Sequence, residues 1–406
     1  MKNIELLSPI GNIESLYAAI KAGADSIYFG VEQLNMRVLN NNFKINDIEK
    51  IIKICKKNKI KKYLTLNTII YDHDIILAKK IIKICKKNKI DGIIAMDNFI
   101  INYCNKLKIP VHISTQLNIT NLETVKFYSK FSDAIVLSRE LNLKQIKYIC
   151  DQINKQNIIG KSKKKLKIEI FCHGSLCMAI SGKCYLSLHN HNSSANRGAC
   201  KQNCRRRYLV KDYKNNINLK IDNEYIMSSK DLCTIGFLDK ILLTGIKILK
   251  IEGRSKSPEY VYIVTKCYKK AIKYIKNNNY NTKNKKKLIK KLKTVYNRGF
   301  WSGYYLGAKI GKWNNIDGSK SLYKKIFIGI IKKYYKKNML ILIQSYDLKI
   351  NDKILIIGNK IGVKKIKIKK IKNKDNKKVK YVKKGEFCNI DINFKVYKNN
   401  KIYKLI

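Results

Sequence analysis

No apolar run in the 406 residues approaches the roughly 20 that a membrane helix needs. Met1-Lys2-Asn3 leads straight into the strand-like Ile4-Glu5-Leu6-Leu7 and lacks the layout of a signal peptide. A cytoplasmic, reducing setting is therefore expected, with the twelve cysteines available for metal binding or catalysis. Histidine is scarce, at five residues, and none belongs to a His-Glu-x-x-His pair. His189 and His191 form a lone loop pair, so the sequence gives hydrolytic metal chemistry no support. His173 leaves a Cys–His dyad conceivable, but no third orienting group is evident. Neither a GxGxxG nor a Walker pattern occurs, so ATP or dinucleotide use has no support.

Acidic residues are few, 28 against 86 basic ones, for a net charge of +58. Lys, Asn, Ile and Tyr are all inflated, and all four are encoded by AT-rich codons, so genome drift explains much of the bulk charge. The distribution carries more information: residues 1–150 hold +11 and residues 151–406 hold +47. Charge on that scale favours phosphate backbones through counterion release. Arginine is rare, only eight residues, and lysine cannot replace it where a planar fork must hold a carboxylate or phosphate. Arg37, Arg139, Arg197, Arg205, Arg206, Arg207, Arg254 and Arg298 are accordingly enriched for such sites.

Apolar runs alternate regularly with helical patterns. Strands are expected at 4–8, 25–30, 62–68, 91–97, 111–116, 133–138, 165–173 and 247–252, and helices at 12–22, 45–57, 75–87, 98–107, 121–131, 142–153, 232–244 and 259–277. A ten-residue string recurs at 51–60 and 81–90, the spacing of one strand–helix unit. Eight such units predict an α/β fold, a (β/α)8 TIM-like barrel, over residues 1–276. A Cys-rich metal-binding insertion is expected at 172–233, after strand 7, then a helical linker at 277–321. Short alternating segments at 326–331, 339–344, 353–357, 363–368, 387–392 and 394–397 predict a small basic β-barrel domain over 322–406. Its residues 331–406 carry +18, which suits an accessory RNA-binding module or a solvated structural one.

Function in such a barrel sits at the C-terminal strand ends. Those ends supply Ser8, Gly30, Asn67, Asp97, Gln116, Ser138-Arg139-Glu140, His173 and Glu252-Gly253-Arg254, a ring suited to a small polar ligand. Its arginines suit a carboxylate through bidentate pairing. Six cysteines (Cys172, Cys177, Cys184, Cys200, Cys204, Cys233) fall within 62 residues. Four of them, in the spacing Cys177-x6-Cys184-x15-Cys200-x3-Cys204, suit a cubane iron–sulfur cluster, with structural zinc as the alternative. Cys172 and Cys233 are spare candidates. Cys55, Cys85, Cys104, Cys150 and Cys267 lie on helix patterns and read as small buried hydrophobes.

The motifs His173-Gly174-Ser175-Leu176-Cys177, Ser181-Gly182-Lys183-Cys184 and Asn196-Arg197-Gly198-Ala199-Cys200-Lys201-Gln202-Asn203-Cys204-Arg205 resemble the collagenase-like peptidase U32 family. So do Leu7-Ser8-Pro9-Ile10-Gly11-Asn12, Ala22-Gly23-Ala24-Asp25, Asn35-Met36-Arg37, Ser138-Arg139-Glu140 and Lys250-Ile251-Glu252-Gly253-Arg254. Within the family the chain is similar to the tRNA hydroxylation branch. The resemblance implies an RNA-modifying enzyme that hydroxylates the wobble uridine of tRNA at position 5, using prephenate as co-substrate. It also implies a 4Fe–4S cluster on Cys177, Cys184, Cys200 and Cys204, with Cys233 as a possible substitute for Cys204. Arg37, Asn67, Arg139 and Arg254 are then expected to bind the dicarboxylate, with Glu252, Arg254, His173 and Gln116 as catalytic candidates. Arg205, Arg206 and Arg207 are expected to grip RNA. A ribosomal-RNA cytidine hydroxylase, a peptidase and a non-enzymatic RNA-binding protein with a structural metal are the alternatives. Cys172 stands where relatives often have Val, a departure from the family motif.

Overall fold

Near-continuous apolar runs become parallel strands buried on both faces. The computed structural model describes residues 4–39, 42–208, 214, 225–335 and 337–406. The N-terminal Met1-Lys2-Asn3 and residues 209–213 and 215–224 of the Cys-rich insertion lie outside the described residues. The strands are β1 (Glu5–Pro9), β2 (Ser26–Phe29), β3 (Lys61–Leu66), β4 (Gly92–Ala95), β5 (Val111–Ile113), β6 (Ala134–Val136) and β7 (Lys167–Gly174). After them come a short β8 (Asp231–Cys233) and then β9 (Ile248–Ile251). Strands β1 to β7 pair in sequence order, and β9 pairs in parallel with both β7 and β1. The eight-stranded parallel barrel is thereby closed, each strand falling where an apolar run was expected.

Helices α1 (Ile13–Ala22), α2 (Asp47–Lys57), α3 (Ile75–Lys87), α4 (Asn98–Lys106), α5 (Leu122–Ser129) and α6 (Leu143–Lys155) follow the first six strands. Asn12, Asp97, Asn121 and Asn142 cap four of them by accepting from a backbone N–H of the first turn. On α2 the spacing Ile48, Ile51, Ile52, Cys55 turns one stripe inward, and all four are buried. Burial of each such isoleucine contributes roughly 1.5–3 kcal/mol. The repeated string folds the same way twice. Each copy ends its helix, turns through a lysine in left-handed conformation (Lys59, φ 55°; Lys89, φ 60°) and buries its last isoleucine (Ile60, Ile90) ahead of the next strand pairing.

The seventh connection departs from expectation. It carries the short α7 (Leu186–His191), and the helix expected from residue 232 is instead β8 followed by α8 (Leu238–Leu242). Leu232 and Cys233 pair antiparallel with Gly174 and His173 at the end of β7, so tertiary pairing overrides the helical pattern. Phe300–Trp301, in the segment read as a helical linker, forms a further strand against β8. That segment holds one α-helix, Thr282–Leu292, which follows α9 (Pro258–Lys276), and a short 3-10 turn at Gly303–Leu306.

The C-terminal region is an eight-stranded antiparallel sheet with a two-stranded appendage, around one apolar cluster that includes Ile328, Ile341, Ile356 and Ile402. Its end strands, Gly362–Lys367 and Lys378–Val379, do not pair with each other among the described residues. The segment Phe394–Tyr397 is not a strand. Lys401–Leu405 is, inserted between Lys325–Tyr335 and Lys353–Gly358. Leu355, Ile357 and Val363 join the barrel's own core, seating this sheet on α1 and α9. Among the described residues no helix is long and apolar enough to cross a membrane.

Candidate functional site

Glu252 follows β9 at the barrel mouth, and Arg37 reaches it from the β2–α2 loop with Nη2 2.9 Å from Oε1. Tyr28 of β2 donates to the carbonyl of Ile251 at 2.8 Å. Burial pushes the Glu252 carboxyl up, but Arg37, Arg139 and Arg254 outweigh it and hold it ionised, at about 2. Arg254 is buried, with Nη1 donating to Asn35 Oδ1 (3.0 Å) and Thr65 Oγ1 (2.7 Å). Burial lowers it to about 10, which leaves it a cation at neutral pH. Arg139 lies 4.0 Å over the Phe171 ring and donates from Nη1 to the Ser175 carbonyl at 3.1 Å. Among the described residues its buried Nε has no hydrogen-bond partner. Arg298 Nη1 contacts the Ser175 hydroxyl at 3.3 Å. These side chains line one cavity of about 210 Å³.

Below this cavity the barrel axis is polar. Lys250 donates to Glu169 Oε1 at 2.9 Å, and His112 Nδ1 lies 3.2 Å from Oε2. Burial raises Glu169, yet Lys250 and His112 bring it to about 2. Lys256 also faces the cavity, with its ammonium 3.3 Å from the centroid of the Tyr296 ring. Burial, helped by Arg298, lowers it to about 7.

The insertion after β7 folds over this mouth, and its glycines fix where it rests. At Gly198, with φ +87°, a β-carbon would lie 2.1 Å from the Asn35 carbonyl oxygen; at Gly182, with φ +76°, it would lie 2.7 Å from Gln116 Cγ. Arg197 ties the loop to the barrel through Asp74 and through a 2.8 Å bond to the Ile69 carbonyl. Cys177, Cys184, Cys200 and Cys204 all line the same cavity as the arginines. Burial raises the Cys204 thiol, Arg205 opposes this, and Cys177, Cys200 and Cys184 lie close enough to raise it further. The Cys200 sulfur accepts from the Gln202 N–H at 3.4 Å. Among the described residues, no three His, Cys, Asp or Glu side chains are drawn tightly enough together to form a metal group.

Asn67, Gln116, Arg139, Glu252 and Arg254 from the sequence-derived ring line the cavity together with Arg37, expected separately as a dicarboxylate-binding residue. His173 does not. It is buried among Tyr260, Tyr268 and Phe300, and burial lowers it to about 3. Ser8 is turned to Thr265, at 2.8 Å, and Asp97 caps α4. Arg205 spends its donors on the carbonyls of Leu176 and Ser229, while Arg206 and Arg207 are exposed. Cys233 is buried in β8, off the cavity, and burial pushes its thiol up to about 11. Cys172 is fully buried, with its sulfur 3.3 Å from the Lys250 carbonyl. The five helical cysteines are buried as expected. Sequence reasoning missed Lys256, Lys250 and Tyr28 at the site. Lys256 and Lys250 were hidden in the lysine excess, whereas Arg298 stood among the rare arginines.

Three relatives set this geometry in context. A protein named collagenase from Porphyromonas gingivalis is 47% identical over the whole chain and 98% of its own length. The tRNA hydroxylation protein P1 of Bacillus subtilis is 31% identical over 89% of this chain and 85% of its own. A 23S rRNA 5-hydroxycytidine synthase of Escherichia coli is 33% identical over 66% of this chain and 39% of its own. The model of peptidase family U32 matches residues 11–315, which contain the arginine cavity and all four cavity cysteines. With its motifs, its barrel and this match in agreement, the chain belongs to peptidase family U32.

Proposed function

We propose that the chain is an RNA-modifying enzyme that hydroxylates the wobble uridine of tRNA, with prephenate as its dicarboxylate co-substrate. The observation carrying this reading is one cavity that, among the described residues, is shared by four thiols, five arginines and a single ionised carboxylate, Glu252. Relatives named for tRNA hydroxylation and rRNA hydroxycytidine synthesis supply the reaction class. In this reading Arg254 and Arg139 bind the two carboxylates, since their anchored guanidiniums keep further donors toward the cavity. Glu252 holds Arg37 in place and stays charged, which suits it to orienting cations and not to accepting a proton at neutral pH. The base enters from outside and has to leave its stack to do so. In this reading Arg206 and Arg207, exposed next to the cavity residue Arg205, and the basic C-terminal sheet meet the RNA backbone.

Cys177, Cys184, Cys200 and Cys204 would hold a 4Fe–4S cluster in this reading, and the fit rests on their donor set. Four sulfurs open to one cavity, one already accepts an N–H bond, and Cys204 responds to the other three. When bound, such a cluster supplies one-electron chemistry beside the ligand cavity. Anaerobic purification with iron, sulfide and zinc analysis tests the ligand set, and hydroxylation of undermodified tRNA with and without prephenate tests the reaction. About four irons per chain, lost in Cys177→Ser, is expected; one zinc and no iron would remove the redox part of the reading.

The relative named collagenase favours a second reading, a peptidase. Among the described residues no serine, threonine or cysteine side chain hydrogen-bonds a histidine, as an activated nucleophile would require. Collagen and casein cleavage by the purified chain decides it.

A further inference from the structure

At the opposite end of the barrel from the mouth lies a second, larger cavity of about 840 Å³. It opens where the strands begin, and Lys61, Lys167 and Lys247 border it from the starts of β3, β7 and β9. Its wall is α9, which presents Lys266, Lys269, Lys270, Lys273 and Lys276. Those positions follow the i, i+3, i+4, i+7 rule and form one stripe on one helix face. The lining holds two acids, and both are already matched: Glu5 by Lys61 at 2.7 Å and Asp25 by Lys269 at 2.5 Å. Lys266 donates to the Tyr262 hydroxyl at 2.7 Å. Among the described residues, Lys167, Lys247, Lys270, Lys273 and Lys276 have no carboxylate partner.

The basic character continues beyond the cavity. Lys21 of α1, next to the lining residue Ala22, is depressed by burial and further by Lys364 of the C-terminal sheet. Five unmatched ammoniums around one concavity repel each other unless a polyanion enters, and drifted surface lysines would have no reason to converge on a hollow. The opposite, N-terminal face of such barrels ordinarily serves stability, and a mostly cationic hollow is a poor device for that.

We propose that this basal cavity, together with the Lys21–Lys364 edge, binds the phosphodiester backbone of the RNA at a point remote from the modified base. The proposal rests on the RNA reading above and deepens it by naming where the rest of the RNA is held. Phosphate contacts of this kind set orientation and affinity without reading sequence.

The test compares full-length wild type with Lys167→Gln/Lys247→Gln/Lys273→Gln and with a control of equal charge loss, Lys83→Gln/Lys86→Gln/Lys87→Gln on exposed α3 positions. Affinity for tRNA is measured across a salt series. The basal variant is expected to bind at least about tenfold more weakly at low salt, with the log–log salt slope reduced by about two to three. The control should change much less. Lysine acetylation footprinting of the wild type, which needs no variant to fold, should show Lys167, Lys247 and Lys273 protected by tRNA and Lys83 unprotected. Equal affinity and slope in both triple variants, or no tRNA protection, overturns the proposal. So does protection by free tripolyphosphate but not by tRNA, which would make the cavity a small-anion site. A wild type that binds tRNA through this cavity yet hydroxylates nothing removes the enzymatic reading and leaves the proposal standing.

Discussion

Arg37 Nη2 lies 2.9 Å from Glu252 Oε1 and joins two segments 215 residues apart in sequence. The pair closes the ring between the β2–α2 loop and the end of β9. Glu252 is held at about 2 in the folded chain against an ordinary 4.5, because the arginines outweigh the effect of burial. Its contribution to stability is therefore complete above pH 4.5 and is lost as the pH falls toward 2. Glu252→Gln should flatten the wild-type loss of stability across that window, by on the order of 1–2 kcal/mol, and lower stability at pH 7 by leaving three arginines facing one another. Urea unfolding at pH 3, 4, 5 and 7 measures both. Parallel curves for wild type and variant would mean that the ion pair is idle. Glu169, also held at about 2 but by Lys250 and His112, should give a second, additive flattening.

Lys256 gives a slope of the same sign on the alkaline side, but from a shift that costs stability at neutral pH and below. Burial and Arg298 bring it to about 7 in the folded chain, well under the ordinary 10.5. Between those values the unfolded chain holds a proton that the folded chain has released, so raising the pH through this window favours the folded state. Lys256→Met removes the gain. The wild type should strengthen relative to the variant from pH 7 to about pH 10, read as the difference between their melting temperatures. A constant difference would show that the Tyr296 face, 3.3 Å from the ammonium, keeps the lysine charged.

The barrel was legible because eight apolar runs at a steady spacing admit few other folds, and of the polar residues that end those runs Asn67, Gln116, Arg139, Glu252 and Arg254 meet at the mouth while Ser8, Asp97 and His173 do not. What local pattern could not supply was partner-dependent. Leu232 and Cys233 read as the start of a helix because their pairing with Gly174 and His173 comes from residues nearly 60 positions away. Lys401–Leu405 escaped notice as a strand because lysines mask its alternation, although Ile402 is buried in the core of the C-terminal sheet. His173 looked catalytic beside Gly174, yet the side chain points into aromatic packing that only the folded chain reveals. The rarity of arginine was the better guide: Arg37, Arg139, Arg205, Arg254 and Arg298 all reach the cavity.

Gly198 is expected to be indispensable to the thiol loop. Its φ of +87° disfavours any side chain, and a β-carbon would come within 2.1 Å of the Asn35 carbonyl oxygen, a backbone atom that cannot swing away. Gly198→Ala should cost about 1–3 kcal/mol and lift the loop from the barrel rim. Gly236→Ala, where nothing lies within 4 Å of the added carbon, is the neutral control. Limited proteolysis within residues 193–206 reads the loop directly, and metal content of the purified variant reads its consequence for the four thiols. A Gly198→Ala protein with wild-type stability and an uncut loop would show that the loop is not seated against Asn35.

Arg254 separates binding from folding. Both of its close hydrogen bonds, to Asn35 Oδ1 and Thr65 Oγ1, come from the single atom Nη1. A lysine ammonium can serve those two acceptors, but it has no second nitrogen to offer a ligand carboxylate. Arg254→Lys should therefore leave stability within about 1 kcal/mol of wild type, while the KM for the dicarboxylate rises by roughly tenfold or more, the cost of losing a charge-assisted bond. Thr65→Val should do the reverse, lowering stability by leaving a buried donor short of a partner and disturbing KM less. If Arg254→Lys unfolds the protein, the guanidinium is a structural strut. If it hydroxylates tRNA with an unchanged KM, the carboxylate is bound by the other arginines, and Arg139, whose buried Nε lacks a partner among the described residues, becomes the residue to substitute next.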